Sequence, residues 1–554
     1  MTHTYQPQKQ ACRPAPEPHV TELVRHPVVI VGAGPVGLAC AIDLAQHSIP
    51  VVLLDEDNAQ VAGSRGICLA KRTLDILDRL GVGDECVDKG VGWDVGRTFF
   101  RDQEIYRFNL QPQPDHRRTG LINLQQYYLE DFLLQRAKSL PLLDIRYQNQ
   151  VSAVRSDADG AFLQIDTPEG AYSIAADWLV ACDGARSTVR RSLGLDTEGT
   201  PFMDRFLVAD ITIKSDFPSE RWFWFDPPFH PGQSVLLHHQ ADNAWRIDFQ
   251  LGWDADPELE KRPDHVIPRI QAMVGEDHDF DLKWVEVYTF QCRRMSHLRH
   301  GRVLFAGDAA HQVSPFGARG SNAGIQDADN LGWKLRLVTQ GLAPENLLDT
   351  YSTERLKAAE ENMQNSTRSM SFITPKTRIT LAFRDAVLGL ARHYPFARAL
   401  VNSGRLSVPT VLKESTLNTP NTTPYVGDMV PGAPCDDCPM RAQVDHFWLL
   451  SRLGNDFKLL VYVEDPTRVE HGTALQSLHG GHLSVDVMLV TPKGGRSLHG
   501  LMVIEDYTGR FAERYDAQPG SVWLIRPDQH IAARWDHLDI ALVREAISQA
   551  TAQA

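Results

Sequence analysis

Three aspartates each stand at the end of a short apolar run: Asp55 after Pro50–Leu54, Asp183 after Trp178–Ala181 and Asp308 after Val303–Ala306. Each is tied to glycine. Gly184 follows Asp183, Gly307 precedes Asp308, and Asp55 lies about 20 residues beyond a glycine-rich turn at Gly32–Gly37. A carboxylate delivered by a buried strand can accept hydrogen bonds from sugar-like hydroxyls. Adjacent glycines let backbone N–H groups approach a ligand, and a following helix favours negative charge at its N-terminus. A strand delivering an acid to a glycine-rich loop, with a helix N-terminus behind it, suits a polyol and an electron-rich ring.

The elements that must position these residues follow from the same stretches. Val28–Val31 is a short β-branched run, as expected of a buried parallel strand. Gly32-Ala33-Gly34-Pro35-Val36-Gly37 then fits G-x-G-x-x-G: Gly32 for the tight turn, Gly34 for close approach to a pyrophosphate, Gly37 for packing of helix on strand. Pro35 and Val36 open the helix, and Leu38, Ala41, Ile42 and Ala45 form its apolar face. Asp55, followed by Glu56, ends the second strand, where an acid can hold a ribose hydroxyl. Strand, helix, strand and acid together predict a dinucleotide site; pattern alone does not separate FAD from NAD. Arg65, in Gly63–Ile67, could meet the dinucleotide or simply be solvated. Leu69–Leu80 reads as an amphipathic helix ending at Gly81, and Gln126 begins or lies within another. Asp183, Ser187 and Arg190 fit D-G-x-x-S-x-x-R, although an N-capped helix would also account for the local acid and serine. In 302–335 the loop carries Pro315, Gly317, Gly320, Ser321, Asn322 and Gly324, and a helix resumes at about Ile325.

Three motifs in this order, Gly32–Gly37, Asp183–Arg190 and Gly307–Asn322, resemble the group A FAD-dependent aromatic hydroxylases of the para-hydroxybenzoate and phenol hydroxylase type. With its tail, the chain is most similar to 3-(3-hydroxyphenyl)propionate hydroxylase-like enzymes. The resemblance covers about residues 26 to 375 well. It implies that Gly32, Gly34, Gly37 and Asp55 bind the ADP half of FAD, that Arg65 and Gln126 contact the cofactor, and that Asp183 and Arg190 lie beside both FAD and the nicotinamide donor. It further implies that Asp308 binds the ribityl chain and that Gly320, Ser321 and Asn322 cradle the flavin's pyrimidine edge. Pro315 matches the second proline of the family's loop, the floor of the oxygen chemistry; Ser314 replaces the first. Oxygen transfer would pass through a flavin C4a-hydroperoxide, with NADH or NADPH as a transient donor that has no domain of its own.

The substrate half lacks nucleotide motifs. Phe206–Ile213, Ser234–His239 and Trp245–Leu251 read as strands, the last two around a turn at Asp242-Asn243. Alternation places Arg246, Asp248 and Gln250 on one face and Ile247, Phe249 and Leu251 on the other. The resemblance makes this sheet the roof over the flavin. His238, His239, Arg246 and Gln250 are the candidates for meeting a phenol or carboxylate, weighed against a solvated outer face. A histidine there could accept the phenolic proton. Trp222-Phe223-Trp224-Phe225-Asp226-Pro227 nearly fits the W-x-W-x-I-P run of flavin halogenases, and reads better as an aromatic wall or dimer face.

From about Asn418 the composition shifts to Pro, Thr and Asn. Cys435-x-x-Cys438 tempts a redox reading, but it precedes the first strand of the tail, whereas a working dithiol would follow a strand at a helix start. The tail resembles the thioredoxin-like C-terminal domain of the same enzymes, which is structural. The expected fold is therefore α/β: a Rossmann-like FAD-binding domain with an interleaved mixed-sheet substrate domain and a thioredoxin-like C-terminal domain. The expected boundaries are 1–25 for a loose arm, 26–195 and 296–375 for the FAD domain, 196–295 for the substrate sheet, 376–417 for a helical connection and 418–554 for the tail.

A net charge of −14 argues against nucleic-acid or anionic-membrane partners. No run of 18 apolar residues occurs, so no membrane span is expected, and Met1–His19 has no apolar core of a secretory signal. Scattered cysteines fit a cytoplasmic protein. The reading is a hydroxylase of a single-ring phenol or phenolic acid in aromatic catabolism, using O2, with no metal, as a homodimer. A polyketide-tailoring hydroxylase is the nearest alternative. A flavin redox relay through Cys435 and Cys438 is the alternative from another class.

Overall fold

The computed structural model describes residues 9–12, 23–58, 66–110, 114–213, 218–275, 278–401, 407–421, 425, 427–469, 472–479, 483–496 and 500–553. Arg65 lies outside them. Strand β1 (Arg25–Val31) passes through Gly32–Gly34 into helix α1 (Pro35–Gln46), and β2 (Val51–Leu54) returns parallel to β1. On the other side of β1 lies β3 (Gly170–Ala181), also parallel, which ends at Cys182-Asp183. The β-branched residues of β1 and β2 are buried on both faces, as a parallel sheet between helices requires.

The chain then leaves for a second sheet. Five of its eight strands are β4 (Glu198–Ile213), β5 (Arg221–Phe225), β6 (Ser234–His239), β7 (Ala244–Leu251) and β8 (Phe280–Arg294), in the order β8-β4-β7-β6-β5; the others are Val95–Phe100 and Gln103–Asn109 beyond β5 and His311–Gln312 beyond β8. β4 begins well before Phe206, because β8 pairs with it back to Glu198. Asp242 and Asn243 turn the β6–β7 hairpin with φ of 63° and 54°. The outer face packs Val235, Leu237, Ile247 and Phe249 under the helix Pro263–Val274. The inner face carries Phe206, Phe223, Phe225 and Leu236, and Phe316 of the glycine loop packs into the same cluster.

β9 (Val303–Phe305) brings the chain back to the first sheet, parallel to β3, and delivers Gly307-Asp308 beside Asp183. Two long helices follow, α2 (Gly320–Thr339) and α3 (Leu347–Ile373). α2 starts five residues before the expected Ile325. Gly320-Ser321-Asn322 is a weak helix former, but Asn322 is locked by tertiary hydrogen bonds: Oδ1 accepts from Ala70 N and Thr73 Oγ1, and Nδ2 donates to Cys68 O. Leu69, expected in a helix, instead lies in the strand Cys68–Ala70, paired with Leu121–Asn123; the helix begins at Lys71 and ends at Gly81, with φ of 85°. The helical connection expected over 376–417 holds two helices, Arg378–Ala391 and Pro395–Val401, since Pro395 cannot continue the first.

The tail forms a third sheet. β10 (Phe457–Tyr462), α4 (Gly472–His479), β11 (Val485–Thr491) and β12 (Met502–Glu505) give three parallel strands. β13 (Val522–Ile525) and β14 (Ile531–Trp535) extend the sheet antiparallel, and α5 (Ile540–Ala550) closes it. The order β12-β11-β10-β13-β14 is thioredoxin-like.

Candidate active site

Gly32, Gly34 and Gly37 do three different things. A Cβ on Gly32 (φ 101°) would lie 2.4 Å from Cys182 O, so β1 and β3 close on each other there. A Cβ on Gly37 would lie 1.9 Å from Gly32 O, so the helix rests on the turn. A Cβ on Gly34 would meet no atom within 4 Å. Gly34 is also the N-cap of α1, and no side chain caps that end. The backbone amides of Val36 and Gly37 thus front open space at an uncapped helix end.

The three acids converge on this turn. Asp55 accepts from Ala33 N, and from Asp57 N at 2.9 Å. Burial pushes its carboxyl up to about 6. Asp183 accepts from Val189 N at 3.0 Å through Oδ2, while its buried Oδ1 has no partner among the described residues. Ser187 caps the following turn by accepting from Arg190 N. Both capping readings of this motif are therefore realised, in a place that also faces the glycine turn. Arg190 is spent on carbonyls: it donates to Ala309 O at 2.7 Å and Ala185 O at 2.7 Å, holding two loops together. Gly307 (φ 61°) and Gly324 both pack on Val36; a Cβ on Gly324 would stand 2.6 Å from Val36 Cγ2. Asp308 exposes its carboxylate beyond this contact. Glu56 is exposed and accepts from Gln150 Nε2.

At the far end, Gln126 Oε1 accepts from Gly66 N at 3.3 Å, and a Cβ on Gly66 would lie 3.5 Å from Ser321 Cβ. Gln126, Ser321 and Gly320 thus share one corner. Asn322 has its side chain fully used, leaving only its backbone for a cofactor. Pro315 is exposed on the loop, and buried Ser314 places its hydroxyl 3.0 Å from Ser366 Oγ on α3. A hydrogen bond to α3 thus fixes the loop at the position where the family's first proline stands. An open glycine, an orphaned buried carboxylate oxygen and an uncapped helix end, in line with a second glycine loop, fit an FAD.

From Asn322 a short chain of hydrogen bonds leads to the second sheet. Asn322 Nδ2 donates to Cys68 O (2.9 Å), Cys68 Sγ to Asn123 Oδ1 (3.2 Å), and Asn123 Nδ2 to His239 O (2.8 Å). This sets the inner face of β5–β6–β7 over the glycine loop. On that face Arg221, His238 and Arg246 form a row across three strands, since Arg221 pairs with His238 and His238 with Arg246. All three are buried, as is Gln250; none belongs to a solvated face. Arg246 is fully engaged by Asp210, at 2.8 and 2.7 Å. Gln250 accepts from Ser234 N, fixing the hairpin. His239 points to the opposite face, stacked on Trp245 at 4.3 Å and near Ser219 Oγ. Among these candidates His238 is the one with a buried side-chain atom that has no partner among the described residues. Its Nε2 lies 3.6 Å from Asp248 Oδ2, and its buried Nδ1 has no partner among the described residues. Burial lowers its proton affinity, although Asp248 works the other way.

A family model described as an FAD binding domain matches residues 25–366, and one described as an HcaD C-terminal domain matches 445–550. The chain belongs to the FAD-dependent aromatic hydroxylase family. Among relatives of this hydroxylase, the 3-(3-hydroxy-phenyl)propionate/3-hydroxycinnamic acid hydroxylase of Mycolicibacterium smegmatis is 28% identical over 91% of this chain and 90% of its own length. The 12-dehydrotetracycline 5-monooxygenase/anhydrotetracycline 6-monooxygenase of Streptomyces rimosus is 31% identical over 64% of this chain and 71% of its own. The crystal structure of the flavin-dependent monooxygenase PieE with FAD and substrate superimposes with a TM-score of 0.80 over 96% of this chain and 100% of that one, at 22% identity. The hydroxylase is an FAD-dependent monooxygenase, and none of its described helices is long and apolar enough to cross a membrane.

Three residues of the hydroxylase that the structure brings to the site were not singled out by the sequence. Asp327 on α2 holds the Gly307 loop, and its signal, one acid in a helix, is indistinct. Asn123 bridges the two sheets. Arg221, just ahead of the Trp222–Phe225 run, was hidden by its aromatic neighbours. That run is a strand whose Trp222 and Trp224 face outward with Phe99, while Phe223 and Phe225 line the inner cluster. Cys435 and Cys438 are buried and free, before the strand Pro439–Ala442. Burial pushes the Cys435 thiol up to about 12 and Cys438 up as well. No described cysteine follows β10, where a thioredoxin dithiol would sit.

Proposed function

We propose that this hydroxylase inserts one oxygen atom of O2 into a single-ring phenol or phenolic acid, the other leaving as water, at the expense of NADH or NADPH. The observation that carries the reading is His238 Nδ1: a nitrogen on the inner sheet face, buried and without a partner among the described residues, next in the chain to His239, whose carbonyl ends the hydrogen-bonded path from the glycine loop. FAD, when bound, supplies the activation of oxygen. The chain's own residues do the rest. Gly34 and the α1 N-terminus take the pyrophosphate, Asp55 the ribose, Asp308 the ribityl chain, and 320–322 with Gln126 the flavin edge. Phe206, Phe223 and Leu236 keep water from the ring. Neutral His238 takes the phenolic proton at Nδ1, with Asp248 steadying the imidazolium through Nε2. Loss of that proton makes the ring electron-rich at its ortho and para carbons.

Purified protein mixed with NADH or NADPH and a phenol panel tests the reading. Phenol-stimulated oxidation of the donor with a hydroxylated product is expected. Flavin reduction that no phenol accelerates would sink it. The relative from Mycolicibacterium smegmatis, matched along nearly its whole length, favours a phenylpropionate-type substrate over a polyketide. The same reading places the protein in the cytoplasm, in keeping with eight free cysteines. It also makes the protein a homodimer, in keeping with exposed Ile379, Phe383 and Phe396 on the two short helices; light scattering checks the mass.

A further inference from the structure

We propose that Arg221 holds the oxyanion that His238 creates, so that the pair binds the reacting phenol as its phenolate. The proposal rests on the aromatic-hydroxylase reading above and assigns a residue and a charge state to it. Arg221 is only 7% exposed, yet no carboxylate lies within 4 Å of it among the described residues. A buried guanidinium without a partner is costly, and proteins retain it where a ligand completes it. Two other charged groups lie nearby, and Asp248 acts on Arg221 from beyond 4 Å. Arg246 is held by both oxygens of Asp210. Asp248 faces His238 on the neighbouring strand, and its Oδ1 is buried and unpaired. Cys68, the remaining titratable group facing Arg221, donates to Asn123 and is neutral, burial pushing its thiol up to about 11.

The register decides which oxyanion. Arg221 and His238 are directly opposite on antiparallel strands, on one face, so their side chains start about 5 Å apart. A hydroxyl donating to His238 Nδ1 is therefore within reach of the guanidinium. Proton transfer breaks the phenol O–H bond and forms Nδ1–H. The new phenolate faces Arg221, and the new imidazolium faces Asp248. Each charge created meets an opposite one, and the net charge of the site is unchanged. A carboxylate on Arg221 would leave His238 Nδ1 with nothing to do.

A nitrophenol, whose ionised form absorbs visible light, is the probe. Bound to the FAD-loaded wild type, it is expected to ionise at least tenfold more readily than in free solution, read as a shift of its titration. R221Q should lose that advantage while retaining FAD, and R221K should recover part of it. Should R221Q fail to hold FAD, the R221K titration decides, since a lysine that recovers none of the shift refutes the role. An unchanged titration in R221Q overturns the proposal. So does a variant whose only defect is weaker binding of phenols bearing a side-chain carboxylate, which would make Arg221 a carboxylate clamp. A wild type that no phenol stimulates removes the hydroxylase reading itself, a result visible without any variant.

Discussion

The carboxylate of Asp327 accepts a hydrogen bond from the backbone N–H of Gly307 at 3.0 Å, in the middle of the second glycine loop. The same side chain binds His311 Nε2 at 2.7 Å and Arg355 Nε at 2.7 Å. Burial works against the charge, yet His311 and Arg355 keep the Asp327 carboxyl below its ordinary range. Asp327→Asn leaves a buried Arg355 uncompensated, a loss of about 3–5 kcal/mol. Because the folded-state pKa is depressed, the stabilisation is present above the unfolded-state value and is lost as pH falls through the folded one. Denaturant melts should show the variant weaker at neutral pH, with the gap from wild type narrowing in acid. Equal stability at neutral pH would refute the role.

Gly34 and Gly37 separate cofactor binding from folding. Gly37→Ala puts a Cβ 1.9 Å from Gly32 O and should destabilise the protein whether or not FAD is present. Gly34→Ala meets nothing in the protein, so the FAD-free protein should melt as wild type does. Its FAD affinity should fall tenfold or more. Melting curves with and without FAD, beside a flavin titration, distinguish the two.

FAD affinity should depend on pH through Asp55. In the role proposed for it the ionised carboxylate accepts ribose hydroxyls, and burial pushes its carboxyl up to about 6. Affinity should be level above that pH and fall below it, by at most about tenfold per unit. Asp55→Asn should bind weakly with a flat profile between pH 5 and 8. A sloping profile in the variant would assign the titration elsewhere.

The tail is fastened to the FAD domain by buried charge. Arg526 meets Glu354 of α3 at 2.7 and 2.9 Å, and Lys334 of α2 meets the same carboxylate at 2.7 Å. Glu354→Gln strands Lys334 and leaves Arg526 to Asp528 alone, which should cost about 3–5 kcal/mol. Limited proteolysis should then release the tail earlier than in wild type.

Cys435→Ser and Cys438→Ser should leave phenol-stimulated turnover within twofold of wild type. Buried thiols held protonated are poor nucleophiles and poor redox partners. A collapse of turnover without loss of FAD would restore the relay reading.

How much of this was legible beforehand varies with the range of the interaction. The turn at Gly32–Gly37 and the acid at Asp55 are one βαβ unit, local in sequence, so spacing alone exposed them. Asp183 and Asp308 were visible as strand-end acids, but their convergence on Val36 and Gly32 depends on the parallel pairing of three distant strands. The start of α2 at Gly320 was misjudged because Asn322 is fixed by partners about 250 residues away in sequence. Among the inner-face candidates, alternation grouped Arg246, Asp248 and Gln250 correctly but was silent on which were already engaged.

The sequence by itself determined a dinucleotide site and the order of the folding units, because glycine spacing, strand-end acids and β-branched runs report local backbone requirements; FAD over NAD came from the family resemblance. Only the tertiary structure decided which polar side chains remain free. Arg246 is neutralised by Asp210 from another strand, His239 turns outward, and Arg221, with no carboxylate within 4 Å among the described residues, is left facing His238, whose Nδ1 has no partner there. Partnership is a property of distant residues brought to within a few ångströms, and no window along the chain contains it.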